Sequence, residues 1–318
     1  MRVFVTGASG HIGSAVVPEL IQAGHEVTGL ARSGTSAAAV RAMGAGVRRG
    51  DLGDPDGLRE AAADADAVIH LAFDHETMFA GNFAGAVATD LAVVQAFGDT
   101  LAGTGKTFIG IGLTRTGDAQ RDATINANPR SAVARAIAGF TGRGVRTILV
   151  AIPPVTHSSQ DKQGFIPMLI NIARNTGVSG YVDEGTNRWP AAHTLDVASL
   201  YRLALEKAPA GAQLYAAAEE GIGVREIAET IGRHLGIPAA SIPAGQAADH
   251  FKGFPFITMD ITMPNAGTRR LLGWEPAHPG LIADLDDGHY FRPAEADPVP
   301  TPRRRSHDRP RDHRHERL

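Results

Sequence analysis

Residues 3–17 read VFVTGASGHIGSAVV, with Gly7, Gly10 and Gly13 standing between a β-rich apolar run and a run whose apolar residues recur at helical spacing. A strand that turns at once into a helix is the first half of a βαβ unit, and its return strand must lie parallel beside it. The three glycines give the turn its tightness and bring the backbone close to a ligand, while the amides and dipole of the helix start favour an anion such as a diphosphate. In this strand–turn–helix context the spacing predicts a dinucleotide site formed by Gly7, Ser9, Gly10, His11, Ile12 and Gly13.

The rest of the first half repeats that rhythm. Strands are predicted at 2–6, 26–31, 47–49, 67–72, 107–111 and 146–151, with an amphipathic stripe of Ile12, Val16 and Leu20 and a long helix from 79 to about 101. The expected fold class is α/β, a Rossmann-type doubly wound parallel sheet with a smaller C-terminal substrate lobe. Residues 1–152 form the dinucleotide-binding core in this reading. Residues 153–291, with helices near 165–175, 196–207 and 224–235, add further core elements and the lobe. From 292 to 318 the chain is Arg/His-rich with almost nothing apolar to bury, which predicts a disordered tail.

Composition removes several classes of function. With no cysteine the chain has no disulfide, thiol nucleophile or thiolate metal site, which suits the cytoplasm, and no metal site is expected. No apolar run is long enough to cross a membrane, and no signal peptide is visible. A formal charge of -3 gives no reason to expect nucleic acid, although the last sixteen residues hold seven arginines against three acids.

Coenzyme choice is read at the end of the second strand, where TGLARSG carries Arg32 and Ser33. An NAD site normally places a carboxylate there on the ribose 2′-hydroxyl. A guanidinium instead suits a 2′-phosphate, so NADP is expected ahead of NAD.

The segments TGASGHIG, GDL (50–52), VIHLA (68–72), HTLDVASLYRLALE (193–206) and GIGVREIAETIGRHLG (221–236) together resemble an extended short-chain dehydrogenase/reductase of the NAD-dependent epimerase/dehydratase group. The resemblance covers nearly all of residues 1–291. It implies adenine contact by Asp51 and cofactor-lining roles for Leu52, Leu71 and Ala72, and Pro153 completes the expected contact set. It also implies a catalytic Tyr with a Lys four residues later, and here the chain departs from the family. Residues four after Tyr181, Tyr201, Tyr215 and Tyr290 are Gly185, Leu205, Glu219 and Ala294, so no YxxxK exists. Counting back from RGVRT places Asn126 near the Tyr position and Arg130 near the Lys position. Asn exchanges no proton near neutral pH, whereas Arg130 suits a ribose or a substrate oxyanion.

Thr114 is the nearest hydroxyl to the usual Ser and becomes, with Arg130, the expected catalytic pair. Asp74, His75, Asp118 and His157 follow strand ends as substitute acids or bases, or as ordinary loop residues. His193 and Asp196 read as structural, with the Asp capping and tethering a helix. Three functions remain open: an NADP(H)-dependent oxidoreductase on a small carbonyl or sugar-like compound, a non-catalytic NADP-binding sensor, and a nucleotide-sugar-type epimerase or dehydratase. A homodimer through the small-residue-rich segment 81–98 is also expected.

Overall fold

The computed structural model describes residues 1–114, 118–254 and 256–292; the expected tail from 293 onward and the side chain of Asn126 lie outside the described residues. The first half alternates β1 (Arg2–Thr6), α1 (Gly13–Gln22), β2 (Glu26–Ala31), α2 (Gly34–Ala42), β3 (Gly46–Arg49), α3 (Pro55–Asp64), β4 (Ala67–His70), α4 (His75–Phe79), α5 (Phe83–Leu101) and β5 (Thr107–Ile111). It continues through α6 (Ala119–Asn126) and α7 (Ser131–Gly139) to β6 (Arg146–Ala151). Then come β7 (Val155–His157), α8 (Phe165–Thr176), β8 (Ser179–Val182), β9 (Arg188–His193), α9 (Thr194–Lys207), β10 (Ala212–Tyr215), β11 (Glu219–Gly223) and α10 (Val224–Leu235). The chain closes with β12 (Ala239–Ile242), α11 (Ala247–His250), α12 (Ala266–Leu272) and α13 (Leu281–Asp286).

The main sheet has the order β10-β6-β5-β4-β1-β2-β3, with every neighbouring pair parallel. Its strands are apolar at successive positions because both faces are covered. In β1, Val3 and Val5 enter a core with Val16, Val17 and Leu20 of α1 and Val197, Leu200 and Tyr201 of α9. The intervening Phe4 enters the opposite core, with Val93, Val94 and Phe97 of α5 and Ile137 of α7. The order reverses between β1 and β4, the switch point at which open α/β sheets leave a crevice beyond their carboxyl ends.

Three sequence expectations are corrected here. The helix expected from 79 to about 101 starts later, at Phe83: a separate α4, capped by Asp74 through the Thr77 amide, ends at Phe79, Gly81 at φ +86° turns the chain, and Asn82 caps α5 through the Gly85 amide. The fourth strand stops at His70, because the Leu71 amide bonds the Thr6 carbonyl and the Ala72 amide turns to the Thr6 hydroxyl. The sheet also has a seventh strand, β10, paired in parallel with β6, which was not read from the sequence.

A second body of structure holds the three-stranded sheet β11-β9-β7 and the parallel pair β12-β8. Its core gathers Trp189, Ile227, Ile231, Phe251, Phe254, Leu281 and Leu285. Of the two roles expected of Asp196, capping and tethering, the structure gives it only the tether. His193 caps α9 by accepting the Leu195 amide, while buried Asp196 accepts the Ala277 and His278 amides and so ties the later chain to α9.

Candidate functional site

The glycine loop is closed by contacts that leave no room for side chains. Gly7 sits at φ +70°, and a Cβ there would lie 2.7 Å from the Ala72 nitrogen and 2.8 Å from the Leu71 carbonyl carbon. A Cβ on Gly13 would lie 2.1 Å from the Gly7 oxygen. The β1–α1 turn is thereby pressed between the start of α1 and the backbone after β4, which explains how Leu71 and Ala72 come to adjoin Gly7. The Gly10 amide returns to the Gly7 carbonyl at 2.9 Å. No side chain caps α1, and among the described residues the backbone amides of His11, Ile12 and Gly13 meet no acceptor. Those orphan donors at a helix start, beside exposed Ser9 and Gly10, fit a diphosphate.

The His11 ring points elsewhere. Its Nε2 lies 3.0 Å from both the Thr156 carbonyl and the Thr194 hydroxyl, which binds the loop to β7 and α9. Pro153 is buried between β6 and β7, and its carbonyl accepts from the Thr156 hydroxyl at 3.2 Å.

At the end of β2, Ser33 caps α2 by accepting the Ser36 amide, with a reciprocal bond back from its own amide to Ser36. The Arg32 guanidinium is exposed and pairs with Glu76 at 3.2 Å. Beneath the turn, Arg49 at the end of β3 donates to the carbonyls of Ser33 and Arg32. Two guanidiniums, two hydroxyls and a helix start therefore meet at the end of β2. Arg49 was missed in the sequence, because only the β2–β3 register (Ala31 opposite Arg49) puts it under that turn. Asp51 is exposed and accepts the Gly53 amide at 2.7 Å, and Leu52 is partly buried against the α3–α5 core.

From the same crevice a buried chain of hydrogen bonds runs inward. The Ala72 amide donates to the Thr6 hydroxyl at 3.3 Å, and that hydroxyl lies 2.6 Å from His70 Nδ1. His70 Nε2 lies 2.8 Å from Asp90 Oδ1, and Arg130 Nε donates to Asp90 Oδ2 at 3.2 Å. The network assigns the His70 proton to Nε2, with Nδ1 accepting from Thr6. Asp90 and His70 side chains are only 2% and 3% exposed. Burial pushes the Asp90 carboxyl up, but the His70 hydrogen bond and the neighbouring His70 and Arg130 outweigh it and hold the group below its ordinary range. The Arg130 guanidinium lies over the Phe73 ring at 4.0 Å.

Arg130 and Thr114 line one cavity of about 160 Å³, with Gly112, Asn128, Ser131 and Val133 among the other walls. The structure thus brings the expected catalytic pair together at the carboxyl end of β5. Thr6, His70 and Asp90 were not singled out in the sequence. Asp90 had a readable signal, since it falls on the same helical stripe as Ala86, Val87, Val93, Val94 and Phe97 of α5. A carboxylate on a buried stripe demands partners.

The other titratable candidates have structural partners. Asp74 and Asp118 cap α4 and α6, and capping amides hold both carboxyls below their ordinary range. His75 begins α4. His157 is fully buried with Nδ1 at 2.8 Å from Asp284. None of the four tyrosines lines the Thr114–Arg130 cavity. Tyr201 is buried in the α1–α9 core, and burial drives its hydroxyl pKa upward.

Comparison with known proteins agrees with this geometry. The profile of the NAD dependent epimerase/dehydratase family matches residues 3–84. An uncharacterized protein of Schizosaccharomyces pombe is 41% identical over 300 residues, covering 92% of this chain and 100% of the relative. UDP-glucose 4-epimerase of Streptomyces lividans is 26% identical across 92% of this chain and 97% of its own. Among solved structures, UDP-glucuronic acid 4-epimerase from Bacillus cereus, in complex with UDP-glucuronic acid and NAD, superposes with a TM-score of 0.69 at 17% identity, covering 91% of this chain and 98% of that one. UDP-glucose 4-epimerase from Thermus thermophilus, in complex with NAD, gives 0.68 at 18% identity over 91% and 99%. These last two likenesses speak to the fold.

Proposed function

The chain belongs to the NAD-dependent epimerase/dehydratase family, and from that premise we propose that it is an NADP(H)-dependent oxidoreductase acting on a small carbonyl or sugar-like compound without the family's Tyr–Lys pair. The observation that carries this reading is the meeting of Thr114 and Arg130 on one cavity, with Arg130 linked through Asp90 and His70 to Thr6, the residue that precedes Gly7. In the same reading the loop from Gly7 to Gly13 holds the diphosphate, Asp51, Leu52, Leu71, Ala72 and Pro153 line the nucleotide, and Arg32, Ser33 and Arg49 select NADP through its 2′-phosphate.

A bound reduced nicotinamide supplies hydride. Thr114 orients the carbonyl oxygen, and Arg130 is the cation that draws a negative group of the substrate into the cavity. No tyrosine lines the cavity, so in this reading the proton completing the alcohol comes from water or a substitute residue. Residues 153–291 provide the substrate lobe, and a cytoplasmic setting suits a chain with no cysteine. Pairing of two copies through α5, whose exposed positions include Ala84, Ala88 and Ala92, belongs to the same proposal.

The test is a fluorescence titration with NADPH and NADH, followed by NADPH oxidation assays over a panel of aldehydes, ketones and quinones. Turnover that falls in Thr114→Ala and Arg130→Ala supports the enzyme. Tight NADPH binding with no turnover on any compound supports the second reading, a coenzyme sensor, which the missing Tyr and Lys favour. An epimerase or dehydratase remains consistent with the family and is recognised by product formation with no net coenzyme oxidation.

A further inference from the structure

We propose that Arg130 is a carboxylate-recognising fork and that Asp90 is the positioning residue that seats it, so that the substrate is a small carbonyl compound bearing a carboxylate. The inference rests on the oxidoreductase reading for its carbonyl, and on the geometry of Arg130 for its carboxylate.

A guanidinium has two edges that can grip an oxyanion, one through Nε and one through its two terminal nitrogens. Asp90 Oδ2 takes Nε at 3.2 Å, and the Phe73 ring covers one face at 4.0 Å. Among the described residues the two terminal nitrogens have no hydrogen-bond partner, and the side chain is 29% exposed where it borders the cavity. The remaining edge is the one that suits two parallel bonds to a carboxylate. That edge borders a small cavity of about 160 Å³.

Asp90 itself cannot swing away. His70 holds its other oxygen, and His70 is held in turn by Thr6 on β1. An aspartate placed only to neutralise Arg130 would need neither partner. Fixing both oxygens fixes the direction of the Arg130 Nε bond, and so the direction of the fork.

Oxamate, a small carboxylate that cannot be reduced, is the probe, with acetamide as its uncharged counterpart. Both are titrated calorimetrically into the full chain with and without NADPH, and NADPH binding is measured separately. Oxamate should bind and acetamide should not. Arg130→Lys, which keeps the charge and loses the fork, should weaken oxamate by about tenfold or more. Asp90→Asn can keep the His70 contact but not the charge that orients Arg130, and should weaken oxamate about as much. NADPH affinity should stay unchanged in both variants. In an Arg130→Gln background Asp90→Asn should add nothing, an outcome that a general structural role for Asp90 would not give.

Oxamate binding that survives Arg130→Lys, or a folded wild-type protein that binds NADPH but no oxamate, overturns the fork. Full oxamate affinity in Asp90→Asn overturns the positioning role. Oxamate bound by a protein that takes no NADPH overturns the coenzyme reading and leaves the fork standing.

Discussion

Replacing Arg32 by alanine should separate the two coenzymes. In the structure Arg32 Nη1 pairs with Glu76 at 3.2 Å, with the two side chains 69% and 79% exposed. An ion pair so open to water contributes at most about 1 kcal/mol, so its loss costs little when Arg32 turns to a phosphate. A charge-assisted bond from a guanidinium to that phosphate is worth about 1.5–3 kcal/mol, equivalent to roughly 10- to 150-fold in affinity. The dissociation constant for NADPH should therefore rise by one to two orders of magnitude in Arg32→Ala, while that for NADH moves less than about threefold, because NADH offers only a neutral hydroxyl at the 2′ position and no charge for Arg32 to hold. Glu76→Gln removes a competing carboxylate and should tighten NADPH slightly. Coenzyme fluorescence at fixed ionic strength reads each of these constants, and the salt must be fixed because exposed charges are screened. Equal weakening of both coenzymes, or of neither, would refute the reasoning, and selection would then pass to Arg49, which is held on the Ser33 and Arg32 carbonyls.

Further expectations follow from the same geometry. Gly13→Ala places a Cβ 2.1 Å from the Gly7 oxygen, so the turn must open, at a cost of about 1–3 kcal/mol, and coenzyme affinity should fall at least about tenfold by the same titration. The Tyr201 hydroxyl is fully buried with no hydrogen-bond partner among the described residues. Tyr201→Phe should therefore stabilise the chain by about 1 kcal/mol and raise Tm by a few degrees in calorimetry. Burial pushes the Asp284 carboxyl up, yet hydrogen bonds from His157 and His289 outweigh it and hold the pKa below the ordinary 3.8. A folded-state value below the unfolded one means stability present above about pH 4 and lost as pH falls through the depressed value. In Asp284→Asn the urea midpoint should be lower at neutral pH and flatter below pH 4; a midpoint that falls with acid as steeply as in the unaltered chain would count against this pair.

What the sequence could disclose was whatever depends on short-range order. The glycine spacing, the short β-rich apolar runs and the helical stripes are local consequences of chain geometry, so β1, β2, β5 and β6 match their sequence readings residue for residue. Arg32 and Ser33 were visible for the same reason, because they close a strand whose position follows from the glycine loop before it. The missing YxxxK was equally plain, being a pattern within one helix.

Side chains that meet across the sheet were not legible. Asp90 and Arg130 are forty residues apart, and Thr6 and His70 sixty-four. Arg49 reaches the β2 turn only through the pairing of β2 with β3. The second half was harder for another reason. In β10 the residues AQLY show no clear alternation, and what makes them a strand is the exposed edge of β6 beside them. Local residues thus specified the diphosphate seat, because one turn and one helix start make it. The parallel strand order specified the arginine pocket, because only packing brings a hydroxyl, an imidazole, a carboxylate and a guanidinium from four separate elements into a single hydrogen-bonded line.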